Sequence, residues 1–240
     1  YRKYAGKYNL YFYGTVNCES GTVTVATLEI NFAKEEAVTM KIATSEGGEK
    51  LYYGDLQISE MSPNVFIVLN SDFGEQVSLT FYDEPMNCET FQCAVGAMLS
   101  ISAGDLKRAP VLNRFIITGY DVDEAHMKFI KAHLKLNTKY IDISPEMLST
   151  SVEGVFGKCE MADRITDRLK KAFYSKRYYA IEDSFIVNTL RKDENLSLRQ
   201  VDELIAELRN NSLSNINFKI NKSLDSTVYR CTNPKNISQE

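Results

Sequence analysis

The feature that most constrains the fold of this chain is a change in hydrophobic period near its midpoint. Residues 7–118 alternate between apolar and polar side chains in up to eight short runs, whereas apolar residues in 121–232 recur mainly every three or four positions. A period of two is typical of β-strands, and a period near 3.6 is typical of α-helices. The sequence therefore predicts two domains, an antiparallel β domain at 1–119 and a helical α+β domain at 120–240.

The runs of the first domain are separated by turn signals, for example Glu46-Gly47-Gly48 and Ser62-Pro63-Asn64. Connections of this length join antiparallel neighbours. An eight-stranded meander loses its exposed edges when it closes, so the pattern favours a closed antiparallel β-barrel over an open sandwich. In the second run the apolar positions shift by one residue, which predicts a β-bulge near Ala26. In the seventh run the apolar positions include Val95, Leu99 and Ile101.

The first strand contains Gly6-Lys7-Tyr8. This segment resembles the Gly-x-Trp opening of lipocalin-type barrels, with Tyr8 at the position of the family's tryptophan. In that family the aromatic side chain plugs the closed end of the barrel. The eight-strand pattern also resembles the lipocalin-like barrels of membrane-tethered cyclic-dinucleotide sensors in bacterial anti-phage defence. The resemblance implies a cavity for a small ligand and a regulatory role.

Three side chains of the barrel are candidate ligand-binding residues: Tyr8, Tyr53 and Arg114. A tyrosine can stack on a base and donate a hydrogen bond. Arg114 lies in the apolar run 111–118, and if it faces inward it is a buried cation that a phosphate ligand could neutralise. Both faces of this run are apolar, so an outward-facing Arg114 is an open alternative. Tyrosines are also ordinary strand-forming residues.

The second domain is predicted to contain helices followed by a hairpin. The predicted elements are a helix at 124–136, a basic helix at 158–177, a helix at about 181–191, a helix at 197–210 and a hairpin at 218–231. Ser197 and Gln200 form a capping box for the last helix. Three helices followed by a hairpin is the element order of a winged helix, which makes 158–232 a candidate winged-helix-like segment.

Candidate nucleic-acid-binding residues follow from this order. The basic stretch 158–177 holds seven Lys and Arg residues against three acids, which singles out Arg168 and Lys171. Arg199 lies on the helix predicted to take the recognition position, where three carboxylates oppose phosphate unless they face away. The formal net charge of −4 argues against wholesale wrapping by nucleic acid. Winged helices also serve as protein-interaction modules, so DNA binding is one of two alternatives.

Catalytic and metal-binding motifs do not stand out in the sequence. The two histidines, His126 and His133, lie two helical turns apart and cannot share a metal directly. Five cysteines without CxxC spacing favour a reducing cytoplasm and predict neither a zinc site nor a disulfide framework. We therefore expect a non-enzymatic chain without a cofactor. We also expect no membrane contact, since a membrane helix needs about 20 consecutive apolar residues.

The favoured hypothesis from the sequence is a non-catalytic sensor or regulatory interaction protein. Its barrel binds a small, nucleotide-like ligand such as a cyclic nucleotide, or a protein partner, and its helical domain relays or docks. The first alternative is a winged-helix transcription regulator that binds DNA, and the second is a structural or host-interaction module without a small ligand. Because the chain starts at Tyr1 rather than Met, we expect a fragment or processed form with an anchor or another domain upstream.

Overall fold

A computed structural model confirms the α+β fold class, with a closed eight-stranded antiparallel barrel followed by five helices. The chain divides into a barrel unit, Tyr1–Ile117 with Asn217–Glu240, and a helical unit, Thr118–Ile216. The structure describes residues 2–15, 22–44, 47–83, 91–102, 108–136, 140–175, 177–193, 196–213 and 218–219. Of these, 173, 175, 192, 193, 218 and 219 are described by their backbone alone.

The barrel consists of eight strands, each paired antiparallel with the next along the chain. They are β1 Gly6–Tyr13, β2 Val23–Ile30, β3 Val38–Ala43, β4 Glu49–Ile58, β5 Asn64–Asn70, β6 Gln76–Tyr82, β7 Cys93–Ile101 and β8 Pro110–Thr118. Strand β1 also pairs with β8, so every barrel strand has two neighbours. Closure provides hydrogen-bond partners for the backbone N–H and C=O groups that an open sheet would expose at its edges. A 3₁₀ turn at Arg2–Tyr4 precedes β1.

The inward-facing side chains of the barrel form one packed hydrophobic cluster. Its fully buried members include Leu10, Leu28, Met40, Ile67 and Phe115. Successive residues of a strand point to opposite faces, which is why the alternating sequence delivers one side of every strand to this core. Full burial of such a side chain contributes about 1.5–3 kcal/mol relative to exposure. The cluster is therefore the main source of barrel stability.

The predicted β-bulge is wrong, and the apolar positions of the seventh run do not face the core. The register of β1 with β2 is regular through Ala26, which pairs with Leu10, so there is no bulge and Val25 belongs to the outward face. In β7 the apolar residues Val95, Leu99 and Ile101 face outward, with 47, 51 and 42% exposure.

The reversed face of β7 has a packing reason. The inward face carries Gly96, beside the fully buried ring of Phe115, and the buried Met98. A Cβ added to Gly96 would lie 2.3 Å from the Thr80 carbonyl oxygen of β6 and 2.5 Å from Phe115 Cζ. The backbone of β6 and the ring on β8 thus leave room only for glycine at this point, and Val95, Leu99 and Ile101 take the other face.

In the described residues of the helical unit, a 3₁₀ turn at Glu124–His126 is followed by five helices and three strands. They are α1 Met127–Leu134, β9 Tyr140–Ile143, α2 Pro145–Phe156, α3 Glu160–Leu169, β10 Phe173–Ser175, β11 Tyr178–Glu182, α4 Asp183–Asp193 and α5 Leu198–Asn210. The three strands form an antiparallel sheet in which β11 lies between β10 and β9. Fully buried residues such as Ile143, Leu148, Ile165 and Leu204 form its hydrophobic core.

The helix boundaries confirm some predictions and correct others. The capping box is confirmed, because Ser197 Oγ accepts from the Gln200 N–H and Gln200 Oε1 accepts from the Ser197 N–H. The basic stretch 158–177 is not one helix: α3 ends at Leu169, and a hairpin of β10 and β11 follows. The C-terminal end of α5 is held by the buried Lys135, whose Nζ donates to the Arg209 carbonyl at 2.6 Å.

Helix α2 was not predicted. Ser144 Oγ accepts a hydrogen bond from the Met147 N–H, and Pro145 occupies the first turn, where its missing N–H is harmless. Pro145 therefore starts a helix as well as ending strand β9.

The predicted terminal hairpin at 218–231 lies mainly outside the described residues. Of this stretch the structure describes strand β12, Phe218–Lys219. It pairs antiparallel with β8 of the barrel, opposite Leu112 and Val111. This strand therefore adds to the barrel sheet rather than to the helical unit. Among the described helices, none combines the length and apolar character needed to cross a membrane.

Candidate functional site

One end of the barrel, where β1 begins, is closed by aromatic side chains. Tyr8 Oη donates to the Tyr4 carbonyl at 2.9 Å, and both rings pack on Phe91 with centroid distances of 5.3 and 5.2 Å. Tyr4 Oη donates to Asp83, whose carboxylate also pairs with Lys3 at 2.7 Å. The predicted ligand residue Tyr8 thus lies in a buried aromatic plug with its hydroxyl engaged.

The opposite end carries a group of polar side chains that we call the mouth cluster: Lys50, Tyr52, Glu75 and Arg108. Tyr52 is buried on the inward face of β4, and its Oη donates to Glu75 Oε2 at 2.7 Å. Lys50 Nζ lies 3.3 Å from the same oxygen, and Arg108 pairs with Glu75 Oε1. Glu75 belongs to the turn between β5 and β6. The cluster therefore ties that turn to β4 and to the segment that leads into β8.

The charges of the mouth cluster determine its protonation. Partial burial raises the pKa of the Glu75 carboxyl, but the hydrogen bond from Tyr52 and the charges of Lys50 and Arg108 outweigh burial, so this pKa lies below its usual value. Burial and the hydrogen bond to Glu75 both raise the pKa of Tyr52. At neutral pH the cluster therefore contains an ionised Glu75 and a protonated Tyr52.

Glu75→Gln is expected to destabilise the barrel by about 1–2 kcal/mol at neutral pH, because two cations and a hydroxyl lose their common charged partner. Folding lowers the pKa of Glu75. Its contribution is therefore complete above the unfolded-state pKa of about 4.3 and is lost as the pH falls through the folded-state pKa. Urea unfolding at about pH 7 and about pH 3 measures the effect.

Glu60→Gln is the matched control for this substitution, since Glu60 is exposed in the turn between β4 and β5. It should change stability by no more than about 0.5 kcal/mol. A difference between Glu75→Gln and the unsubstituted protein that stayed constant from neutral to acid pH would contradict the assigned role of the Glu75 charge.

One buried amide oxygen lies in the half of the barrel next to the mouth cluster. Asn113 is 1% exposed on the inward face of β8. Its Nδ2 lies 3.4 Å from the Tyr13 carbonyl oxygen, but no donor in the described part of the chain reaches its Oδ1. An unsatisfied buried acceptor costs about 1–3 kcal/mol, so this oxygen would gain from a donor on a small bound molecule.

The other two predicted ligand residues lie on the outside of the barrel. Tyr53 lines a surface groove of about 340 Å³ on β3 and β4, together with Lys41. Arg114 is half-buried on the outward face of β8, because its neighbour Phe115 points into the core. The structure therefore does not bring Tyr8, Tyr53 and Arg114 together in one site.

A second candidate site lies in the helical unit, where α2 and α3 form a helix–turn–helix. Only Gly157, Lys158 and Cys159 separate the two helices. Gly157 has a φ of 73°, a left-handed conformation that glycine adopts without strain. A short turn containing glycine is typical of helix–turn–helix motifs.

The predicted nucleic-acid-binding residues fall on two helices. Arg168 is half-buried near the C-terminal end of α3, and Lys171 is exposed just beyond it. Arg199 is exposed in the first turn of α5, where its Nε lies 3.5 Å from Glu203 Oε1. Arg168 and Lys171 thus border the helix–turn–helix, whereas Arg199 belongs to another helix.

The hairpin of β10 and β11 is a part of this site that sequence reasoning missed. Residues 168–181 contain five Lys and Arg residues and no Asp or Glu. We call the exposed side chains of this stretch the hairpin surface: Lys170, Lys171, Tyr174, Arg177 and Tyr178. Alternation on either side of Lys176-Arg177 was the signal that could have revealed the strands.

Metal and acid–base chemistry find little support in the described residues. Within them, no three His, Cys, Asp or Glu side chains are close enough to hold a metal ion. Asp123 Oδ1 accepts from the His126 N–H at 2.9 Å and lies 2.6 Å from its Nδ1. His133 Nδ1 lies 2.8 Å from the Phe129 carbonyl oxygen. Both histidines are therefore engaged in local helix contacts.

The fold defines an α+β protein that combines a closed antiparallel barrel with a unit of helices and a three-stranded antiparallel sheet. Comparison with known proteins gives no match among family models, curated proteins or solved structures. Its function is therefore inferred from its own residues.

Proposed function

We propose that this chain is a non-catalytic regulatory binding protein whose helical unit binds duplex DNA in the manner of a winged helix. The observation that supports this proposal is the order of elements from α1 to β11: helix, strand, helix, helix, strand, strand. The three strands pair with the last one in the middle, as in a winged helix. In this arrangement α3 takes the recognition position, in place of α5.

The charges of α3 are compatible with DNA binding, but they are not its main support. Arg164 lies 3.4 Å from Glu160, and Lys170 lies 3.3 Å from Asp167, so two of its acids are partly neutralised by pairs on the same helix. Recognition helices place such side chains in the major groove, where Arg reads guanine and phosphate contacts supply most of the affinity.

Fluorescence polarisation with a labelled random duplex of about 30 base pairs tests the proposal. Non-specific binding with a Kd of about 10⁻⁴–10⁻⁶ M is expected at physiological salt, and the affinity should fall linearly with salt on a log–log plot. Absence of binding at low salt, where phosphate contacts are strongest, would rule out this function for the helical unit.

A second candidate function is supported by the barrel. The unpartnered Asn113 oxygen and the mouth cluster lie in the same half, opposite the aromatic plug, which favours a small ligand that donates a hydrogen bond. The resemblance to cyclic-dinucleotide sensors suggests nucleotides as the first class to test. Since the barrel core is packed, such a ligand must displace the contacts of Glu75 to enter.

Native mass spectrometry of the purified chain, with a thermal-shift screen of cyclic dinucleotides and mononucleotides, tests this second candidate. A ligand present at 100 times its Kd stabilises the folded state by about 2.7 kcal/mol. Asn113→Leu removes the acceptor at similar size and should abolish the shift. A shift that survives in Asn113→Leu would locate the ligand elsewhere, and the absence of any shift would argue for a filled barrel.

A further inference from the structure

The charges along α3 and the following hairpin are unevenly distributed. The N-terminal half of α3 exposes Glu160 and Asp163, with Glu160 at 89%. From residue 168 to residue 181 every charged side chain is basic. Lys171 and Arg177 are exposed within this stretch. One end of the recognition helix therefore repels phosphate, and the other end continues into a cationic hairpin.

The geometry of the hairpin suits a nucleic-acid groove. Ser175 pairs with Tyr178, so its turn contains only two residues. The rings of Tyr174 and Tyr179 pack across the strands with centroids 4.9 Å apart, which stiffens the ribbon. Tyr174 and Tyr178 are still 53 and 36% exposed. A two-stranded ribbon fits a DNA groove, and tyrosine hydroxyls commonly donate to phosphate oxygens.

We infer that the hairpin surface, rather than the N-terminal half of α3, holds the phosphate backbone of duplex DNA. The inference rests on the proposed function of the helical unit and adds the surface and orientation of binding. Charge complementarity is its basis, because every charged residue of 168–181, including Lys171 and Arg177, is basic, with Asp167 and Glu182 only at the borders of this stretch. The acids at the start of α3 then lie away from the phosphates.

The test compares two charge reversals in the complete chain. Lys171→Glu with Arg177→Glu reverses two of the three cations of the hairpin surface. Lys128→Glu with Arg191→Glu is the matched control, since it reverses two exposed cations on α1 and α4. Both pairs lie at exposed positions, so far-UV circular dichroism should show unchanged folding. Loss of two phosphate contacts should weaken duplex binding about tenfold or more and reduce the salt slope by about 2. The control pair should change the affinity less than about twofold.

The outcomes separate this inference from the function on which it rests. If the unsubstituted chain binds duplex DNA but the pair Lys128→Glu and Arg191→Glu is at least as damaging as the hairpin pair, the hairpin assignment is overturned while the proposed function stands. If the unsubstituted chain does not bind at low salt, the proposed function itself fails. A labelled single strand is run in parallel, and tighter binding to it than to the duplex would overturn the duplex assignment, since exposed tyrosines can stack on bases.

Discussion

Phe115→Ala is expected to lower the free energy of unfolding of the barrel by about 3–5 kcal/mol. The ring of Phe115 is fully buried and meets Phe81 edge to face, with ring centroids 6.1 Å apart. It also fills the space beside Gly96, since a Cβ added there would lie 2.5 Å from Phe115 Cζ. Its loss would leave a cavity that a closed barrel cannot collapse around, because each strand is held by two neighbours.

Phe66→Ala is the matched control, since Phe66 lies on the outward face of β5 and is 43% exposed. The same deletion there should cost less than about 1 kcal/mol. Denaturant unfolding followed by tyrosine fluorescence is suitable, because the chain has 14 tyrosines and no tryptophan. Equal losses in the two variants would contradict the assignment of inward and outward faces.

Gly54→Ala is expected to have the second large effect, a loss of about 3 kcal/mol or failure of the barrel to fold. A Cβ at Gly54 would lie 1.9 Å from the carbonyl oxygen of Val68 and 2.9 Å from its carbonyl carbon. Both atoms belong to the backbone of β5, which is paired with β4 in a continuous register at this point. The clash can be relieved only by separating two strands, and this would break their hydrogen bonds.

Gly48→Ala provides the comparison for this effect. Its nearest neighbour is Thr44 Oγ1 at 3.3 Å, which accepts a hydrogen bond from the Gly48 N–H and needs to shift only slightly to admit a Cβ. We expect a change of less than about 1 kcal/mol. Soluble yield and thermal unfolding measure the difference in stability between the two variants. A Gly54→Ala protein as stable as Gly48→Ala would contradict the close approach of β4 and β5.

Local patterns were sufficient for much of the fold. The eight barrel strands follow directly from the alternation of apolar and polar residues, because every second side chain of a barrel strand faces the core. The capping box at Ser197 also depends on neighbours within one turn of helix. By contrast, α2 and the hairpin of β10 and β11 were not predicted, since a proline more often ends a regular element than starts one, and the basic residues after Leu169 continue a helical pattern.

Likewise, only the candidate site residues that have a signal in the local sequence could be predicted. Lys171 was identified from the local density of basic residues, and it lies on the hairpin surface. Asn113 and Glu75 carry no local signal. They became candidates only when the barrel placed Asn113 inside an apolar interior and brought Lys50 and Arg108 to the Glu75 carboxylate.

The sequence by itself therefore determined the secondary structure wherever hydrophobic period, helix capping and turn residues agreed. Each of these signals depends only on residues that are close together in the chain. Tertiary packing selected the face of β7 that turns inward, because the Thr80 backbone of β6 and the ring of Phe115 on β8 leave no space for a side chain at position 96. Tertiary pairing likewise decided that β11 lies between β10 and β9. Under the proposed function this order assigns the recognition position to α3 in place of α5. Contacts between residues far apart in sequence leave no periodic trace, and both candidate sites depend on such contacts.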